Sequence, residues 1–368
     1  MKHQLVAGCL WLLAAHPGHA AAIQPENIVS GPLAVEIDHQ LSDLVAGGFG
    51  GAVVIRINGE IVLQRGYGLS DREAGTAYTT DTIGQVGSIS KTFTALAISM
   101  LAADGRVDLT APLRTYLPDA PAPAGDATLH QVLTHRAGLA GECGGDFEPR
   151  TRDELIRTCM ALPLAQPAGQ EHYSNMGYSL LAAVTEEVSG QSWEEFVRQR
   201  IWTPAGMSHT GFANFAQTGD AAFAVGYLDD EPQGRIRGRI AALNGDDWHL
   251  RGNGGVGASA RDMDRFYLML SGVTPGVDQA AREIVLKAYE RRDARVMEGY
   301  GLFHRFDAEG RRYRIGHSGS DGVFFSYFAF YPDHNAFLYF VGNNGEDDAL
   351  KGLRTALRSV EAAILTVP

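Results

Sequence analysis

Gly87-Ser88-Ile89-Ser90-Lys91-Thr92-Phe93 is the stretch on which the reading of this chain turns. It follows the polar, turn-forming Thr79-Thr80-Asp81-Thr82 and opens an apolar run over residues 93–101. That run has helical composition and stops at Asp104-Gly105, where glycine suits the position just past a helix end. Ser88 is therefore placed at a helix start, with Lys91 one turn on along the same face. A hydroxyl at a helix N-terminus has unpaired backbone N–H groups beside it, and a neighbouring amine can take its proton. These are the parts of an activated serine nucleophile. Lysine is scarce, at positions 2, 91, 287 and 351, and no other serine has lysine three residues on. The same pair also arises as a helix cap followed by a solvated lysine, so the rest of the chain decides between the two.

On the N-terminal side, Pro32 starts a helix with apolar residues at Ile37, Leu41, Leu44 and Val45, ended by Gly47-Gly48. Residues 53–57 and 60–64 flank Asn58-Gly59 and predict a hairpin, because Asn-Gly supplies two positive φ angles. From about 106 to 247 the pattern is helices and loops with hardly a strand. Thr151-Arg152-Asp153-Glu154 and Ser192-Trp193-Glu194-Glu195 are capping boxes, and residues 178–188 have helical periodicity. Strand patterns return at 301–306, 313–316, 323–331 and 336–341, and a closing amphipathic helix spans about 347–364. The expected class is α+β: an antiparallel sheet flanked by N- and C-terminal helices, with an all-helical domain inserted. Its domains are 30–105 with 251–367, and 106–250.

The chain has 368 residues, 45% of them hydrophobic and 20% charged, which is ordinary for a globular protein. A net charge of -12 and a pI near 5.4 argue against nucleic acid or an anionic membrane as partner. No Cys/His cluster has zinc spacing, so no metal is expected. Gly254 to Gly257 lacks the lysine of a phosphate loop, and no cofactor is implied. Lys2, the short apolar run 5–15 and the small residues Ala20-Ala21-Ala22 predict a cleaved export signal over 1–22, leaving no integral membrane segment in the mature chain. Export would be to the periplasm or the medium. Cys9 sits in a lipoprotein-like box preceded by too few apolar residues for that anchor. Cys143 and Cys159 remain after processing, either bridged or as two thiols.

Two further short elements carry weight. Tyr173-Ser174-Asn175 follows Pro167-Ala168-Gly169 on a loop before the helix at 178, and His317-Ser318-Gly319-Ser320 lies where the strand 313–316 passes to the next. Ser88-x-x-Lys91, Tyr173-x-Asn175 and His317-x-Gly319, in that order, resemble the three motifs of the penicillin-recognising serine hydrolases. That superfamily holds β-lactamases, DD-peptidases and related esterases and amidases. The resemblance runs from about residue 37 to 365 and implies a β-lactamase/transpeptidase-like fold with the site in a cleft.

It further implies that Ser88 forms an acyl-enzyme on a small-molecule or peptide substrate bearing an amide, ester or β-lactam. Lys91, desolvated in the cleft, keeps proton transfer going as a partly neutral amine or hydrogen-bond relay, and Tyr173 is the base or shuttle, for which Lys91 can be the cationic neighbour needed at pH 7. Asn175 meets the substrate amide, while His317, Ser318 and Gly319 line the far wall. The backbone N–H groups of Ser88 and Ser320 form an oxyanion hole. His317 stands where strong β-lactamases of this superfamily carry lysine, and no deacylating-glutamate loop is recognisable. A peptidase or esterase is therefore favoured over a dedicated β-lactamase. The alternative class is a non-hydrolysing penicillin-binding sensor or scaffold, which would be marked by a damaged motif. His135, also singled out by the resemblance, reads as a structural histidine, and Trp193, Trp202 and Phe324-Phe325 as core.

Overall fold

The apolar run after Ser88 becomes a helix buried on every side. In the computed structural model, which describes residues 27–215, 219–345 and 347–366, every residue from Ser90 to Leu101 is buried. The export signal and Cys9 lie outside the described residues. Four helices matter most: α1 (Pro32–Leu44), α2 (Ser90–Ala103), α3 (Asn175–Ser189) and α4 (Asp347–Thr366). A helix apolar all round needs neighbours on all sides, and α2 has them in the sheet, in α3 and in the loops that follow.

The sheet has nine strands: β1 (Ile28–Val29), β2 (Gly51–Ile57), β3 (Glu60–Tyr67), β4 (Glu290–Arg291), β5 (Val296–Glu298), β6 (Phe303–Phe306), β7 (Arg312–Ser320), β8 (Phe325–Tyr331) and β9 (Ala336–Gly342). Their order is β1-β3-β2-β9-β8-β7-β6-β5-β4, so β2 from the start of the chain pairs with β9 from its end. All neighbouring pairs are antiparallel. Asn58 and Gly59 take φ values of 52° and 81°, as a two-residue hairpin turn requires. Strand alternation then sorts the core into two layers. Ala52, Val54, Tyr339 and Val341 face α2, whereas Val53, Ile55, Leu338 and Phe340 face α1 and α4 through Ile37, Leu41, Leu353 and Val360.

Several boundaries differ from the sequence reading. β7 runs four residues beyond Gly316, so the third motif is strand and not a passage between strands. α3 begins at Asn175, three residues before the periodic segment, because Ser174 caps it. The short strands β1, β4 and β5 carry no signal in the sequence reading, nor do Thr210–Gly211, Gly226–Leu228 and Glu231–Gly234 in the helical stretch. Strands of two to four residues are too short to show alternation. Thr151 and Glu154 form the reciprocal capping box, and Ser192 caps by accepting the Glu195 N–H. Cys143 and Cys159 are bridged, their Cα atoms 5.6 Å apart. Among the described residues no helix is long and apolar enough to cross a membrane.

Candidate active site

Ser88 lies in a tight turn, Gly87–Ile89, that winds directly into α2 without a side-chain cap. Backbone N–H groups at this start are therefore left for another acceptor. Gly87 has φ 51°, and a Cβ there would stand 2.6 Å from the Ser320 nitrogen, so only glycine lets the turn approach β7 this closely. Three hydroxyls fix the helix in its socket. Ser90 accepts the Val256 N–H, Thr92 donates to the Gly301 carbonyl and Thr94 to the Gly252 carbonyl.

Lys91 is fully buried. Its Nζ donates to Ser88 Oγ at 3.1 Å, to Asn175 Oδ1 at 2.7 Å and to the Asn253 carbonyl at 2.8 Å. Loss of water pushes its pKa down to about 7, against the pull of the Asp146 and Glu142 carboxylates. A lysine in this state is about half neutral at neutral pH and can take a proton from Ser88.

The second motif sits at the start of α3. Ser174 accepts the Gly177 N–H at 3.0 Å and donates to the Ala140 carbonyl at 2.6 Å. Tyr173, just before the cap, stacks on His135 with ring centroids 4.2 Å apart, and Lys91 Nζ lies 5.0 Å from its ring. Desolvation raises the Tyr173 hydroxyl above its ordinary pKa, opposed by a hydrogen bond with Ser88 and the charge of Arg292. Lys91 thus has the lowered pKa expected of a desolvated amine, whereas Tyr173 is not held low by a lysine cation and keeps its proton. Asn175 has both ends of its amide engaged, accepting from Lys91 and donating to Glu142 Oε1 at 3.0 Å.

His135 is a positioning residue, as its sequence context suggests. It adopts φ 55°, its Nδ1 accepts the Ser174 N–H at 3.1 Å, and its carbonyl accepts the His172 N–H. Desolvation, with Lys91 nearby, holds its pKa well below the ordinary value, so the ring is neutral.

In β7 the pleat divides the third motif. Gly319 packs on the nucleophile turn, where a Cβ would stand 2.0 Å from the Val86 carbonyl and 2.9 Å from the Ser88 nitrogen. His317 is buried on the same face, its ring 6.4 Å from Tyr173 and 5.0 Å from Phe303. Its Nδ1 donates to the Ser318 carbonyl at 2.5 Å, and its Nε2 is buried with no hydrogen-bond partner among the described residues. Burial and the Lys91 charge push its pKa down to about 3, so it offers a neutral ring and no cation. Ser318 turns to the opposite face, where it lines a groove with Arg305 and Tyr327. Past Gly316, β7 has no strand partner among the described residues on its β6 side, which leaves a strand edge beside Ser88.

The structure therefore brings Ser88, Lys91, Tyr173, Asn175, His317, Gly319 and the Ser320 nitrogen together and sends the Ser318 side chain away. Sequence reading missed Asn253, whose backbone carbonyl binds Lys91 while its amide donates to Ser179 and to the His249 carbonyl. It also missed Glu142 and Asp146. Two loop carboxylates carry no sequence signal until the fold sets them beside a buried lysine.

A serine at a helix start, a buried lysine one turn on and a strand edge across from them thus lie together on an α+β fold. Residues 37–361 match the family described as Beta-lactamase, and the chain belongs to that family. It is 34% identical over 219 residues to the "Putative penicillin-binding protein PbpX" of Bacillus subtilis (strain 168), covering 60% of this chain and 54% of that one. It is 31% identical over 204 residues to the "Esterase EstB" of Burkholderia gladioli, covering 50% and 51%. The chain thus spans about half the length of these curated relatives. The crystal structure of a penicillin-binding protein from Bacillus halodurans superposes with a TM-score of 0.74 at 25% identity, covering 89% of this chain and 99% of that one.

Proposed function

We propose that the protein is an exported serine hydrolase that acts through an acyl-enzyme on an amide, ester or β-lactam, with peptides or esters its main substrates. The observation that carries this is the 3.1 Å hydrogen bond between Ser88 Oγ and a fully buried Lys91. In acylation the neutral Lys91 amine takes the Ser88 proton as Oγ bonds to the substrate carbonyl carbon. Charge develops on the carbonyl oxygen between the Ser88 and Ser320 N–H groups. Tyr173, still protonated and hydrogen-bonded to Ser88, delivers a proton to the leaving group and is refilled from the Lys91 ammonium. In deacylation water reverses the path. Glu142 holds Asn175, and Asn175 in turn holds Lys91. On substrate entry the Asn175 amide is the group to exchange Glu142 for the substrate.

The neutral His317 supports the preference for peptides and esters over β-lactams, since it gives a substrate carboxylate no charge to bind. The name of the Burkholderia relative supports the ester reading. The segment 1–22 supports export, as does a bridge between Cys143 and Cys159, which favours an oxidising compartment. The same reading takes 30–105 with 251–367 as one lobe and 106–250 as the other.

Intact-protein mass spectrometry after a penicillin and after a fluorophosphonate tests the proposal. Wild type should gain one adduct and Ser88→Ala none. An unmodified wild type, or an adduct that survives Ser88→Ala, refutes the assignment.

A further inference from the structure

The last residue of β7 carries one of the two proposed oxyanion donors, and the chain turns at once beyond it. Strand pairing ends at Ser320 and Phe325, so residues 321–324 are held by side-chain bonds instead. Ser320 Oγ accepts the Gly322 N–H at 3.1 Å. Asp321 Oδ1 accepts the Val323 and Phe324 N–H groups at 3.0 and 2.7 Å. Those bonds engage one oxygen of a carboxylate whose side chain is only 2% exposed, and the other oxygen still needs a donor. Arg239 provides it, its Nη1 donating to Asp321 Oδ2 at 3.0 Å.

Arg239 comes from a distant part of the chain. It lies on the short helix Ile236–Ala241, which is seated in the core by the buried Ile236 and Ile240. Its guanidinium also rests on the Phe147 ring, 3.6 Å from the centroid, in the loop that carries Glu142 and Asp146. One side chain therefore joins three elements: the turn after β7, the helix at 236 and the loop at 147. The junction is close to the chemistry, since the Asp146 carboxylate feels the charges of both Arg239 and Lys91. The Ser320 nitrogen is thus held from two directions. On one flank is Gly87, where a Cβ would stand 2.6 Å away, and on the other is a turn tied to Arg239.

We propose that Arg239 is a positioning residue for the reaction. Through Asp321 it fixes the Ser320 N–H where charge develops on the substrate carbonyl, and through Phe147 it draws the loop 140–150 to the same point. Arg239 itself touches no substrate. The proposal rests on the serine hydrolase reading above. An oxyanion hole works only when its donors are placed beforehand, and a displacement of about 1 Å can cost on the order of 10²-fold in rate.

Steady-state hydrolysis of a small neutral aryl ester by the whole chain tests this, with Arg239→Ala, Asp321→Asn and the two combined. Asp321→Asn keeps an oxygen for the Val323 and Phe324 N–H groups and turns a donor toward Arg239, so it breaks the bridge and spares the turn. Each single variant should lower kcat by about tenfold or more. KM should stay within about threefold, because the hole serves acylation and deacylation alike. The combined variant should lose no more than about threefold beyond the worse single one, as expected when both changes remove one interaction. Arg56→Gln breaks the Arg56–Asp264 pair, which shares no residue with this junction, and should lower the melting temperature while kcat stays within about twofold. Every variant should still gain the Ser88 adduct from a fluorophosphonate. Wild-type kcat in either single variant, a loss confined to KM, losses that multiply in the combined variant, or an equal loss in Arg56→Gln overturns the proposal. A wild type that gains no adduct overturns the hydrolase reading and this one with it.

Discussion

The start of α2 and the loop facing it, residues 140–150, are built on opposite terms. At α2 the side chains behind Ser88 are buried and tied to backbone: Lys91 to the Asn253 carbonyl, Thr94 to Gly252, Thr92 to Gly301. The facing loop has no buried residue, and it is held by one disulfide and by contacts such as Glu142 to Asn175. The difference teaches where each property resides. Desolvation at α2 makes the chemistry, because it brings a lysine to neutrality. The loop's carboxylates act on that lysine across the cleft and tune it. In the proposed chemistry, reactivity therefore belongs to the buried side of the cleft and adjustment to the loop side.

The largest effects belong to the buried side. Ser88→Ala should lower kcat/KM by about 10³-fold or more without loss of folding, as for other enzymes stripped of their nucleophile. Wild-type turnover in that variant would break the comparison at its root. Tyr173→Phe should cost about 10²-fold, the loss expected of an acid–base group. A loss under about threefold would remove Tyr173 from the proton path. Gly319→Ala places a methyl group against the Val86 carbonyl and the Ser88 nitrogen. It should cost about 1–3 kcal/mol of stability from overpacking, seen in denaturant melts, together with activity. The pH profile sharpens the comparison across the cleft. Activity should fall below about pH 7 as Lys91 takes up a proton. Asp146→Asn should move that acid limb to lower pH, because the Asp146 charge pulls the lysine pKa upward. A shift to higher pH would mean that the carboxylate acts on another group. Breaking the bridge with Cys143→Ser/Cys159→Ser should cost about 3 kcal/mol through the freed loop. It should change kcat less than any variant at α2, and a larger loss of kcat would show that the loop does more than tune.

How much of this was legible in the sequence follows the same division. α1, the Asn58-Gly59 hairpin, α2, the late strands and the closing helix were readable because each is long enough to show its period or carries its own turn chemistry. The three motifs were readable because they sit on such elements. β4 and β5 at the sheet edge were not, since pairing and not pattern makes a two- or three-residue strand. Asn175 as the first residue of α3 was hidden by a motif that looks like loop until Ser174 is seen to cap it. The division of His317 and Gly319 from Ser318 needed β7 to extend past residue 316. Glu142, Asp146 and the Asn253 carbonyl were beyond reach for a further reason. Their role is an electrostatic one toward a buried lysine distant in sequence, and no local pattern encodes it.

The central claim is that Lys91 is neutral near pH 7 because it is buried beside Ser88. Only four lysines occur in the chain, so NMR titration of the ¹⁵N- and ¹³C-labelled lysine side chains reads it directly. One resonance should titrate at about pH 7 and vanish in Lys91→Met. No resonance titrating in the neutral range, or a neutral-range resonance that persists in Lys91→Met, would contradict the account.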